Sequence, residues 1–145
     1  MTRVTFMDRR PAFAGGGDSP RAMLDQCLDR IAKRDGEVRA FVTVNADGAR
    51  AAADAATARY RAGKPLSPID GMPVALKDIF ETVDMPTTFG SPIFKDWRGG
   101  RDSAVAFALR QAGAVLIGKT VTTEFAASFA GPTRNPHDLE RTPGG

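Results

Sequence analysis

Lys77 is the residue whose setting most invites chemistry. It follows the apolar run Val74-Ala75-Leu76, and Asp78 comes next. An apolar run after Gly71 and Pro73 reads as a short buried strand, with Lys77 at its carboxyl end. In parallel sheets that edge carries the ligand crevices. Desolvation among apolar neighbours disfavours the charged form of an amine, and a neutral lysine accepts a proton. The same residues also read as a solvated lysine at a strand end, with Asp78 as its surface partner. On spacing alone that second case is the commoner one.

Gly113 to Thr120 reads G-A-V-L-I-G-K-T and matches a phosphate-loop pattern letter by letter. The mechanism argues against nucleotide binding. A true phosphate loop follows a strand, and its middle residues turn their N–H groups toward phosphate. Here a helical pattern precedes Gly113, and the middle residues are strand formers whose N–H groups belong to a sheet. Cys27 is the single cysteine, so no intrachain disulfide forms, which fits a reducing compartment such as the cytoplasm. Its helical spacing reads as a buried thiol. His137, the single histidine, has no partner set for a metal or a Ser–His pair. Glu124 fits an acid or base role, but in a turn it more commonly caps or is solvated. Trp97 between Lys95 and Arg98 is weak evidence for nucleic-acid stacking, and its loop could border a substrate entrance.

The elements around Lys77 follow from local patterns. Residues 1 to 18 read as a loose arm, since Pro11 and Gly15-Gly16-Gly17 oppose a helix. Ser19 caps a helix with Pro20 at its first position. Leu24, Cys27, Leu28 and Ile31 form its apolar stripe, and Gly36 ends it. Phe41 to Val44 is extended. An alanine-rich helix capped by Asn45 or Asp47 runs to about Ala62, before Gly63 and Pro65. After the Val74–Leu76 strand comes a loop from about Asp84 to Arg101. A helix capped by Asp102 or Ser103 follows, with a stripe of Val105, Ala108, Leu109 and Ala112. Gly113 stops it, and Ala114 to Ile117 form an unbroken apolar strand, as in a parallel sheet covered on both faces. Strand, helix and strand make a crossover unit, so the class is α/β. From Thr120 on, a helical turn near Glu124 to Ser128 gives way to a Pro- and Gly-rich segment.

The chain has 145 residues, 20 basic and 17 acidic, with the signs interleaved rather than clustered. A nucleic-acid or membrane patch normally needs clustered charge, so the pattern reads as mixed solvated faces. No apolar run is long enough to span a membrane, and the first ten residues lack a signal peptide's apolar stretch.

Several segments in order resemble the amidase signature family. Gly71-Met72-Pro73-Val74-Ala75-Leu76-Lys77-Asp78 looks like its lysine motif. Pro86-Thr87-Thr88 and Gly90-Ser91 resemble the loop that follows. Asp102-Ser103, Gly118-Lys119-Thr120 and Glu124-Phe125-Ala126 resemble the next block. Asn135-Pro136 and Pro143-Gly144-Gly145 resemble the approach to the family's serine-rich core. Ser19 to Val44 matches the family's usual first helix and its ending. Each motif is modest, but the ordered set is specific and covers nearly the whole chain from Ser19.

The resemblance implies the family's mixed or parallel sheet covered by helices, with residues 19–145 as the amino-terminal portion of one amidase domain. It also implies a Ser–Ser–Lys triad without a cofactor or metal. The lysine resembled by Lys77 acts through a bridging serine, held by a cis peptide bond, on a nucleophilic serine that forms an acyl-enzyme. The bridging serine is expected within a residue or so after Gly145, with the nucleophile and oxyanion-hole glycines further on. Ser91, Ser103 and Ser128 do not lie in the family's serine motif. The 145-residue chain thus reads as a truncated amidase, inactive alone, carrying one of three catalytic residues. The implied partner is a small-molecule amide, with no nucleic acid and no membrane; open sheet edges allow self-association, including a homodimer. Two alternatives stand beside this: the A subunit of a glutamyl-tRNA(Gln) amidotransferase, which supplies ammonia to misacylated transfer RNA, and a truncated, non-catalytic binding module.

Overall fold

Three strands build the sheet that places Lys77. The computed structural model describes residues 5–127 and 129–144. Strands β1 (Phe41–Val44), β2 (Pro73–Lys77) and β3 (Val115–Thr120) lie in the order β1-β3-β2. Central β3 runs parallel to β2 and antiparallel to β1. The α/β class and the parallel strand–helix–strand unit hold as the sequence predicts. The antiparallel β1 makes the sheet mixed.

β3 is apolar throughout its first half because both its faces are covered. Val115 and Ile117 pack with Leu24 and Leu28 of α2 (Pro20–Val38) and with Ala49 and Ala53 of α3 (Ala46–Arg61). Leu116 packs on the other side with Leu76, Met85 and Ala106 of α4 (Ala104–Gln111). The local signals for these helices act as expected. Ser19 Oγ accepts from Ala22 N, with Pro20 at the first position, and Asn45 and Ser103 cap α3 and α4.

Three expectations are corrected. The arm contains a helix, α1 (Phe6–Ala14), with Pro11 inside it. Thr5 and Asp8 cap it reciprocally, and the glycine run only ends it. Phe6 and Phe13 are buried, and Phe13 meets the Tyr60 ring edge-on at 5.4 Å. That tertiary burial outweighs the local cost of Pro11. Secondly, α2 passes through Gly36, which costs only about 1 kcal/mol in a helix. It stops at Val38 because Arg39 turns left-handed and the Asp35 carboxylate accepts from the N–H groups of Ala40 and Phe41. Thirdly, the α4 stripe is out of phase. Ala106 is the buried residue, and Leu109 packs beside it, whereas Val105 is 43% exposed and Ala108 is exposed too. A helix apolar on nearly every side gives no phase signal, and small Ala106 admits the closest approach to the sheet.

Arg9 binds both Asp18 oxygens, at 2.6 and 2.8 Å, which ties α1 to the start of α2. Those bonds hold the Asp18 pKa below its ordinary value, against an opposing push from burial, and Ser19 N–H helps. A lowered carboxyl pKa stabilises above the ordinary aspartate range, and the effect is lost as pH falls through the folded value. Amide-exchange protection in α1 should therefore persist at neutral pH and fall in acid before that of β3. Equal acid resistance in the two would contradict this.

The two glycines of the phosphate-loop pattern have structural work instead. Gly113 makes a left-handed turn (φ +85°) against the Asp70 carboxylate. At Gly118, a Cβ would strike Thr43 O and lie 3.0 Å from the Phe41 ring, so β1 could not close on β3. Gly118→Ala should cost about 1–3 kcal/mol by overpacking, read as a lower urea midpoint; an unchanged midpoint would refute the close-approach reading.

Candidate active site

Lys77 is the last residue of β2, half-buried, and pairs in register with Thr120 of β3. β2 alternates regularly, with Val74 and Leu76 packed toward α4 and Ala75 toward α2 and α3, so Lys77 lies on the face of Ala75. The register of β3 sets what it meets there. Val74 pairs with Leu116, but Ala75 pairs with Gly118, so Ile117 is an extra residue on β3. This bulge reverses the alternation beyond it. Lys119 then falls on the face of Leu76 and α4, while Thr120 joins Lys77 on the face of α2 and α3.

Lys77 lines a cavity of about 250 Å³ together with Thr120, Thr122, Thr123, Thr133 and Gly131. Thr142, Pro143 and Gly144 line it as well. The tail reaches this place through main-chain bonds: Arg134 N donates to Val38 O, and Val121 N donates to Ala40 O. Thr123 is buried, and its Oγ1 has no hydrogen-bond partner among the described residues. The cavity lining thus brings a lysine and several threonines to the carboxyl edge of the parallel strand pair, the hydroxyls of Thr120, Thr122 and Thr133 donating to main-chain carbonyls. That arrangement suits proton transfer to and from a hydroxyl or an amide nitrogen.

Asp78 is not the surface partner of Lys77. It is fully buried, and its Oδ1 lies 3.0 Å from Lys119 Nζ, also fully buried. Lys119 further donates to Thr87 Oγ1 (2.9 Å) and Pro86 O (3.4 Å). Asp78 Oδ2 accepts from the Thr88 N–H (3.0 Å) and hydroxyl. Every strong donor of the ammonium is therefore used. The Lys-Thr of the phosphate-loop pattern serves the sheet: Lys119 holds this pair, and the Thr120 carbonyl accepts from Asp78 N at 2.9 Å. Sequence reasoning missed Lys119, Thr87 and Thr88 as site-building residues. The signal was there, since a lysine inside a fully buried strand needs a buried counter-charge.

The other candidates lie elsewhere. Glu124 begins a 3₁₀ turn, Glu124–Ala126, half-buried and off the cavity lining. That turn falls within the predicted helical segment, whose end, Ser128, lies outside the described residues. His137 is exposed in the tail. Trp97 packs with Phe89 and Phe94 at ring separations of 5.7 and 6.2 Å. Ser103 caps α4, and Ser91 is buried without a hydrogen-bond partner for its hydroxyl among the described residues. Cys27 is only half-buried; burial pushes its thiol pKa up, against nearby Arg30 and Arg9. Among the described residues no three His, Cys, Asp or Glu side chains are placed to hold a metal ion, and no helix is long and apolar enough to cross a membrane.

The Amidase family model matches residues 22–145, a span that includes β2, the cavity and the buried pair. The chain belongs to the amidase family. It is 47% identical over 151 residues to the A subunit of glutamyl-tRNA(Gln) amidotransferase from Thermobifida fusca (strain YX), covering 100% of this chain and 30% of that protein. It is 52% identical over 124 residues to the same-named protein of Acidothermus cellulolyticus, covering 81% of this chain and 25% of that one. The native peptide amidase from Stenotrophomonas maltophilia superposes with a TM-score of 0.88 at 29% identity, over 96% of this chain and 31% of that chain. The chain thus spans about 30% of the length of the first of these relatives.

Proposed function

We propose that this amidase chain supplies the general base of an amide-opening reaction, with Lys77 as that base. The observation that carries the reading is the shared cavity: Lys77 lines it together with Pro143 and Gly144. A serine joined to that Pro-Gly run would stand beside the lysine, where the family resemblance puts the bridging serine. The substrate is a small-molecule amide. In the longer protein, Lys77 takes a proton through the bridging serine from the nucleophilic serine. The nucleophile attacks the amide carbonyl, the amine leaves with a proton returned along the same path, and water cleaves the acyl-enzyme. The reaction requires an uncharged amine at the moment of transfer, because an ammonium has no lone pair to give. Metal and cofactor are not required by this scheme, and we place the protein in the cytoplasm.

A second reading has its own support. The two relatives at 47% and 52% identity are named as the A subunit of glutamyl-tRNA(Gln) amidotransferase. On that reading the amide is glutamine, and the ammonia passes to a partner protein. One assay tests both. The longer protein, given simple primary amides or glutamine with hydroxylamine, should release ammonia and divert the acyl group to a hydroxamate. Dependence on glutamine and a companion protein would select the second reading. Failure to form hydroxamate or ammonia from any amide, with or without a companion, would contradict both.

A further inference from the structure

We propose that Lys119 is a positioning residue for Lys77: its buried pair with Asp78 pins the residue after Lys77 on the α4 face and fixes the β3 register that sets Thr120 beside Lys77, so that Lys77 stays on the cavity face. The inference rests on the reading of Lys77 as the base. Side chains alternate across a strand, so Asp78 held on the α4 face leaves Lys77 on the cavity face, and loss of the β3 bulge would pair Lys77 with Lys119 in place of Thr120. The register here is not the regular one, because Ile117 bulges out of the pairing with β2. An apolar strand by itself specifies such a register weakly, since Val115, Leu116 and Ile117 would pack in either phase.

Lys119 supplies the missing discrimination. In the observed register its ammonium meets Asp78, Thr87 and the Pro86 carbonyl. Without the bulge it would follow Val115 and Ile117 onto the face packed by Leu24, Leu28 and Ala53, an apolar core with no counter-charge. A buried ion pair is a poor source of net stability, and fixing a register is its best-attested use. The lock also grips the residue after Lys77 on every side. Asp78 N donates to Thr120 O, Asp78 O accepts from Phe89 N at 3.1 Å, and both carboxylate oxygens are bonded. Only the Lys77 side chain is left to the opposite face.

The test uses the longer protein with a primary amide and compares Lys119→Met/Asp78→Leu, Thr87→Val and Lys77→Ala. The double substitution replaces the charges by apolar groups, so a purely structural role predicts a folded and fully active enzyme. The lock predicts that kcat falls at least about tenfold with KM within about twofold, because only the base is misplaced. Thr87→Val, which removes one bond to Lys119, should move kcat in the same direction by a smaller factor. A folded double variant with kcat within about twofold of the parent would overturn the proposal. Should the double variant not fold, Thr87→Val decides on the same criterion. Turnover surviving in Lys77→Ala would instead remove the base assignment. The lock is then read from amide exchange in Thr87→Val: exchange about tenfold faster at Asp78 and Phe89 supports it, and unchanged exchange overturns it.

Discussion

Lys77→Ala in the longer protein should lose amide turnover by roughly three or more powers of ten, as when one member of a coupled catalytic unit is removed. The loss should fall on kcat, because the lysine acts on protons in flight rather than on the resting substrate. Folding should be little changed. The neighbouring ion pair belongs to Asp78 and Lys119, so deleting the Lys77 side chain strands no buried counter-charge. Wild-type turnover in the alanine variant would end the assignment.

Asp78→Ala should have the largest effect on stability. It removes one half of a pair in which both side chains are 0% exposed. The Lys119 ammonium is left buried with only the Thr87 hydroxyl and the Pro86 carbonyl. Breaking a buried pair from one side costs about 3–5 kcal/mol, comparable with the whole stability of a marginal domain. Adding Lys119→Met to Asp78→Ala should restore much of the loss, because the uncompensated charge goes with it. Urea unfolding of the two variants checks both statements. A double variant no more stable than the single one would show that packing, not charge, governs the site.

What could be read from the sequence was what local chemistry decides. Ser19-Pro20, Asn45 and Ser103 mark helix starts because their side chains bond the adjacent N–H groups. The run Val115-Leu116-Ile117 marks a strand covered on both faces because its residues meet two different cores. Lys77 was placed at a strand end by its apolar lead-in, and it does end β2. Apart from the end of α2, which Asp35 sets locally, the misses share a cause, since each depends on a distant partner. α1 persists through Pro11 because Phe6 and Phe13 find Tyr60. The inward face of α4 is chosen by Leu76, Met85 and Leu116. The bulge at Ile117 and the Lys119–Asp78 pair depend on contacts between β2 and β3, the paired side chains lying 41 positions apart. The cavity belongs to this class too, because Thr133 and Thr142 reach Lys77 only after the tail folds back toward Arg39.

Lys77→Arg is the most direct measurement of the central claim. Arginine keeps the length and the positive charge, yet its guanidinium does not give up a proton in proteins. An electrostatic or packing role at this position would survive the exchange. A general-base role would not. Amide turnover by the arginine variant should be nearly as low as by the alanine variant. Near-normal turnover would contradict the assignment and return Lys77 to a solvated lysine at the end of a strand.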